Sequence, residues 1–167
     1  FQFIPQSKTL YTASADNSIM SWSEKMEIKG CTRANRKAEG GKHHHAEGVN
    51  ALEVFNDGSK IHLLSASFDK TIRMWDPTNL RCEYQITTRQ IVTHMKVLQV
   101  QGGKAALICG TMCGKILAYS LPRLQFRGSL DVGSGSRGVP RGGSRGNRIT
   151  DISILSNPPM VVAATEN

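Results

Sequence analysis

The sequence predicts an all-β protein assembled from a repeated meander of short strands. Three observations predict it. Short β-rich runs alternate with tight-turn residues along most of the chain, one apolar spacing recurs three times, and an aromatic residue returns in each of three repeats.

The pattern is clearest in the middle of the chain. Val49-Asn50-Ala51-Leu52-Glu53-Val54-Phe55 leads into Asn56-Asp57-Gly58. Asp57-Gly58 suits a hairpin turn because glycine tolerates a positive φ. Leu63-Leu64-Ser65-Ala66-Ser67 follows, then a second reversal at Phe68-Asp69-Lys70, then Thr71-Ile72-Arg73-Met74-Trp75-Asp76. The spacing of Val49, Leu52 and Val54 returns as Val92, Met95 and Val97, and again as Ile149, Ile152 and Ile154. Phe55 has an earlier counterpart in Phe3, with Ile4 to Lys8 as its turn. Thr12-Ala13-Ser14-Ala15-Asp16 through Trp22 matches Ser65-Ala66-Ser67-Phe68-Asp69 through Trp75. A third copy runs from Cys109-Gly110-Thr111-Met112-Cys113 to Tyr119, and a fourth begins at Ala163-Ala164-Thr165-Glu166-Asn167.

From Trp75 to Tyr119 is 44 residues, against roughly 40–45 for one four-stranded propeller blade. From Trp22 to Trp75 is 53, and from Thr111 to Thr165 is 54. The surplus falls in two segments that are poor in large apolar residues, and these also hold the charge. The chain of 167 residues has a net charge of +8. Residues 29–45 carry Lys29, Arg33, Arg36, Lys37 and Lys42 against Glu39, a net +4; residues 132–148 carry Arg137, Arg141, Arg145 and Arg148 with no acid, another +4. Both are therefore basic insertions into a regular array.

These motifs resemble the WD-repeat family, over nearly the whole chain apart from the insertions. The second copy, ending in Trp75-Asp76, carries the resemblance; the first is good, the third degenerate and the fourth truncated. The resemblance implies a β-propeller, a ring of antiparallel sheets around a central channel. The implied organisation is an incomplete blade at 1–28, a basic insertion at 29–44, a blade at 45–87, a degenerate blade at 91–131, a Gly/Arg/Ser-rich insertion at 132–148 and the start of a blade at 149–167. About three blades and the start of a fourth make an incomplete propeller, since a family ring of seven needs about 300 residues. The chain begins at Phe1, so a longer protein is expected, and the fragment alone is not expected to be a stable monomer.

His45, Ser65 and Asp69 are residue types that can build a catalytic triad. In the family the matching positions form a structural network with the tryptophan. An indole N–H needs an acceptor when buried, a serine hydroxyl supplies it, and a histidine oriented by the turn aspartate completes the chain. His45 lies four residues before Val49, where the family places the histidine of its Gly-His pair; His44 replaces the glycine. The first copy keeps Thr12, Asp16 and Trp22 at matching positions. The third has Cys109, Cys113 and Tyr119, so it is expected to lack the network and to be the softest blade. No nucleophile motif accompanies Ser65, and an enzyme is not expected.

His43-His44-His45, with Cys31 near in sequence, invites a metal reading. Adjacent histidines on an extended chain point to opposite sides, and no metal or other cofactor is expected. Four cysteines in a chain of this size suit reduced thiols, hence a cytoplasmic or nuclear protein. No apolar run approaches the roughly 20 residues of a membrane span. Residues 132–148 contain six glycines and one Arg-Gly-Gly at Arg141, with no Gly-Lys-Ser/Thr of a phosphate loop. The expected function is a non-catalytic scaffold binding other proteins within a larger assembly, with no small-molecule substrate. The candidate partner-binding residues are Arg33, Arg36, Lys37, Lys42, Arg137, Arg141, Arg145 and Arg148. RNA association through the same two loops is the alternative.

Overall fold

The computed structural model describes residues 1–32, 44–100, 104–132, 148–156 and 159–166. They form fourteen strands and, apart from single turns of 3-10 helix, no helix. No helix is long and apolar enough to cross a membrane. The chain folds as two compact units, Phe1–Arg89 and Gln90–Asn167.

The first unit holds two four-stranded sheets, each a simple antiparallel meander. The first consists of β1 (Gln2–Ile4), β2 (Thr9–Ala13), β3 (Ile19–Trp22) and β4 (Ile28–Cys31); the second of β5 (Val49–Asn56), β6 (Ile61–Ser67), β7 (Thr71–Asp76) and β8 (Arg81–Thr87). β4 runs into the segment whose sequence reads as an insertion from residue 29, so the boundary at 28 falls inside a strand. Ile4, Tyr11 and Ile19 of the first sheet pack with Val49, Leu52, Leu63, Trp75 and Leu80 in one apolar core. Gly58 in the β5–β6 turn has φ +94°, the left-handed conformation for which glycine is suited.

The second unit holds a four-stranded meander, β9 (Val92–Val100), β10 (Lys104–Thr111), β11 (Lys115–Leu121) and β12 (Gln125–Asp131), and the hairpin β13 (Arg148–Ser156) with β14 (Pro159–Glu166). Ile108 of the one sheet packs on Ile149 and Ile152 of the other. Gly110 is the point of closest approach. A Cβ there would lie 2.5 Å from Ile149 Cγ2 and 2.9 Å from Ile152 Cδ1.

The pairing registers explain the recurring apolar spacing. A strand buries every second residue, yet Val49 and Leu52 are both buried three apart. A bulge lies between them: Val49 faces Ser67 and Ala51 faces Ala66, leaving Asn50 as the extra residue. The same irregularity leaves Thr93 extra in β9 and Thr150 extra in β13. The motif that repeats in the sequence is thus the signature of a bulged first strand of each sheet.

Candidate functional site

The four residues of the second repeat come together. β5 is preceded by His45, β6 carries Ser65, the β6–β7 turn carries Asp69, and β7 carries Trp75. Trp75 Nε1 donates to Ser65 Oγ at 2.8 Å. Ser65 Oγ stands 2.6 Å from His45 Nε2, and His45 Nδ1 2.9 Å from Asp69 Oδ2. The indole occupies the serine as an acceptor, so the hydroxyl proton points to Nε2, which must be bare. The ring therefore carries its proton on Nδ1 and donates it to the carboxylate.

Asp69 is held from several sides. Its Oδ2 also accepts the Ala46 amide at 3.0 Å; its Oδ1 accepts the amide and hydroxyl of Thr71 at 2.9 and 2.6 Å. Burial pushes the Asp69 carboxyl up, but the bonds from His45 and Thr71 outweigh it and leave the group well below the usual carboxylate range. Burial lowers the His45 pKa against the pull of Asp69, so the ring is neutral at pH 7. The His45 and Trp75 rings are inclined at 62° with centroids 5.8 Å apart, and the Arg73 guanidinium lies 5.9 Å from the centre of the same indole.

In outline this is a Ser-His-Asp arrangement, and its exposure decides what it can do. Ser65 and Trp75 are 0% exposed and His45 1%. A nucleophile has to reach a substrate carbonyl, and Ser65 is closed in by the core with its oxygen already engaged by Trp75.

The first sheet brings Thr12 and Trp22 together, with Trp22 Nε1 donating to Thr12 Oγ1 at 2.9 Å. Asp16 accepts from the Ser18 amide and hydroxyl at 3.0 and 2.6 Å, closing its own turn. In the third sheet Cys109 and Tyr119 stand where serine and tryptophan do. Burial pushes the Cys109 thiol above its ordinary range and raises Tyr119 to about 12. Thr111 closes that turn instead, its hydroxyl bonding to the Lys115 amide and carbonyl, both at 2.9 Å.

Of the basic candidates, Arg33, Arg36, Lys37, Lys42, Arg137, Arg141 and Arg145 lie outside the described residues. Arg148 is exposed and opens β13. The flanks of both insertions are described. In the first unit, Asn17 Nδ2 donates to the Ala46 carbonyl, and the Val49 amide to Ser14. In the second, the Val132 amide donates to Gly114. Each insertion therefore leaves its unit at the end that bears the Asp16, Asp69 or Thr111 turn. His43 is likewise outside the described residues, among which no group of three or more metal-ligating side chains is found.

Sequence reading missed a charged cluster on the second sheet. Lys60 Nζ contacts Glu83 closely and lies 3.0 Å from Asp76, while His62 bridges Glu83 at 3.1 Å and Asp57 at 3.3 Å. A signal was present: Lys29, Glu83 and Arg127 are charged residues at nearly the same distance after Trp22, Trp75 and Tyr119.

No curated protein matches the chain. Residues 40–76, which include β5, β6 and β7, match the family model described as WD domain, G-beta repeat. WD40 repeats generally act as protein–protein interaction modules and are typically non-catalytic. That match falls on the second sheet, and the same four-stranded meander is repeated in the first and third, which supports a WD-repeat family.

Proposed function

We propose that this protein is a non-catalytic interaction scaffold of a larger protein assembly. The observation that carries the reading is the burial of the Ser65–His45–Asp69 chain, which makes it a brace between turn and sheet and leaves it no route to a substrate. Binding then falls to the exposed loops, where function on rigid β-scaffolds concentrates. The two basic segments supply the charge, a net +3 in residues 30–45, beyond Lys29 on β4, and +4 in residues 132–148. A basic loop attracts an acidic partner and speeds its arrival, with strong dependence on salt. A protein partner fits better than RNA, because neither segment contains an aromatic residue to stack on bases. The cysteines sit apart, Cys31 on β4, Cys82 on β8, Cys109 on β10 and Cys113 in the next turn, a distribution that supports reduced thiols and a cytoplasmic or nuclear location.

The test is capture of partners at physiological salt by wild type and by the variant with Arg137, Arg141, Arg145 and Arg148 all changed to serine. Loss of protein partners is expected. Loss of RNA with proteins retained would make RNA the ligand of this loop, and loss of neither would remove segment 132–148 from binding.

A further inference from the structure

Between the first and second sheets lies a cleft of 490 Å³, on the side of the β5–β6 and β7–β8 turns. Ile4, Ile61 and Pro77 give it an apolar wall, and Thr9, Ser21 and Lys29 a polar one.

The outer strand of each four-stranded sheet carries a bulge at one repeat position. The extra residue is Lys29 in β4, Glu83 in β8 and Arg127 in β12. A bulge re-aims the side chain it carries. In the second sheet Glu83 turns back onto Lys60 and His62, so its charge is met within the sheet. In the first sheet Lys29 takes the same place, and its ammonium reaches Thr9 Oγ1 at 2.9 Å. Thr9 occupies the position of His62, each three residues before the hydroxyl that holds the tryptophan. Its own hydroxyl is committed to the Ser7 carbonyl at 3.0 Å, and the residue is 1% exposed. Among the described residues Lys29 has no ion-pair partner, whereas Lys60 across the cleft is matched by Asp76 and Glu83. One uncompensated positive charge thus stands at the edge of an apolar cleft.

We propose that this cleft binds a glutamate side chain of a protein partner, with the carboxylate on Lys29 and the aliphatic stem against Ile4, Ile61 and Pro77. A single cation matches a monoanion. A phosphate dianion would bring a second negative charge towards Asp76 with no second free cation to meet it. The proposal rests on the reading as an interaction module and adds a site on the turns opposite those that flank the basic insertions.

The probes are acetylated and amidated tetrapeptides, Ala-Glu-Leu-Ala and its glutamine and lysine counterparts, titrated into the isotope-labelled chain and followed by amide chemical shifts. The glutamate peptide should shift the amides of Thr9, Ser21, Lys29 and Ile61 and bind about tenfold more tightly than the glutamine peptide, the worth of one charge-assisted hydrogen bond. Lys29→Gln should abolish that preference, and Lys29→Glu should reverse it in favour of the lysine peptide. Lys29 is exposed, so both variants should fold, which their melting curves check. Equal binding of the glutamate and glutamine peptides, an unchanged preference in Lys29→Gln, or no shift at the cleft amides would each overturn the proposal. Partner capture that survives Lys29→Gln but fails on the four-arginine variant would refute the cleft alone and leave the scaffold reading standing.

Discussion

Removing the Asp69 carboxylate tests the brace at its anchor. Asp69→Ala deletes the acceptor of the His45 Nδ1–H, on a side chain with no exposed surface. It also frees the amides of Ala46 and Thr71. Ala46 is exposed, so water can satisfy its amide; the buried imidazole is left with only the Thr71 hydroxyl, 3.1 Å from Nδ1, in place of a carboxylate. Stranding one buried donor costs about 1–3 kcal/mol. That corresponds to a fall in melting temperature of roughly 5–20 °C for a cooperative unit of this size. The assay is thermal or urea unfolding followed by the fluorescence of Trp75 and Trp22. Asp16→Ala supplies the control, because Asp16 is exposed and its bonds to Ser18 close a local turn. Its cost should stay below about 1 kcal/mol, the worth of an ordinary hydrogen bond. Equal stability of Asp69→Ala and wild type would refute the reasoning, since no stranded donor would then exist.

The remaining predictions concern pH, packing and the hydroxyl. The folded His45 pKa is lowered, so below about 6.5 the unfolded chain takes up a proton that the folded chain refuses, and stability should begin to fall there. Asp69 has a depressed folded pKa, so its contribution is present above about 4 and is lost as pH falls further; urea unfolding from pH 7 to 3 should show the second loss in wild type and not in Asp69→Ala. Gly110→Ala should destabilise the second unit by about 1–3 kcal/mol through overpacking against Ile149 and Ile152, measured by amide exchange in β10 and β13. Ser65→Ala should cost more than Thr12→Val in chemical denaturation, because Ser65 joins a buried indole to a buried imidazole whereas Thr12 and Trp22 are half-buried.

Much of this was legible in the sequence because it is local and repeated. The spacing of Val49, Leu52 and Val54 marked the first strand of three sheets, although the bulge behind it became visible only in the pairing with β6, β10 and β14. Trp75, Ser65, Asp69 and His45 were placed by their offsets, and the structure brings those four together. β4 was missed because Ile28-Lys29-Gly30-Cys31 is short, partly charged and has no alternation of its own; it is a strand because β3 offers it a partner. The cleft was invisible for a related reason. Its walls come from two different sheets, far apart in sequence, and Lys29 faces it only through a bulge that depends on register.

The measurement that bears most directly on the central claim is labelling of Ser65 by a fluorophosphonate, read by mass spectrometry on the folded protein. An activated, accessible serine is phosphonylated stoichiometrically, whereas a hydroxyl sealed between Trp75 and His45 is not. The account predicts no label on Ser65 in the native protein and a loss of stability in Ser65→Ala. Stoichiometric labelling of native Ser65, with Ser65→Ala as stable as wild type, would contradict it and make the site catalytic.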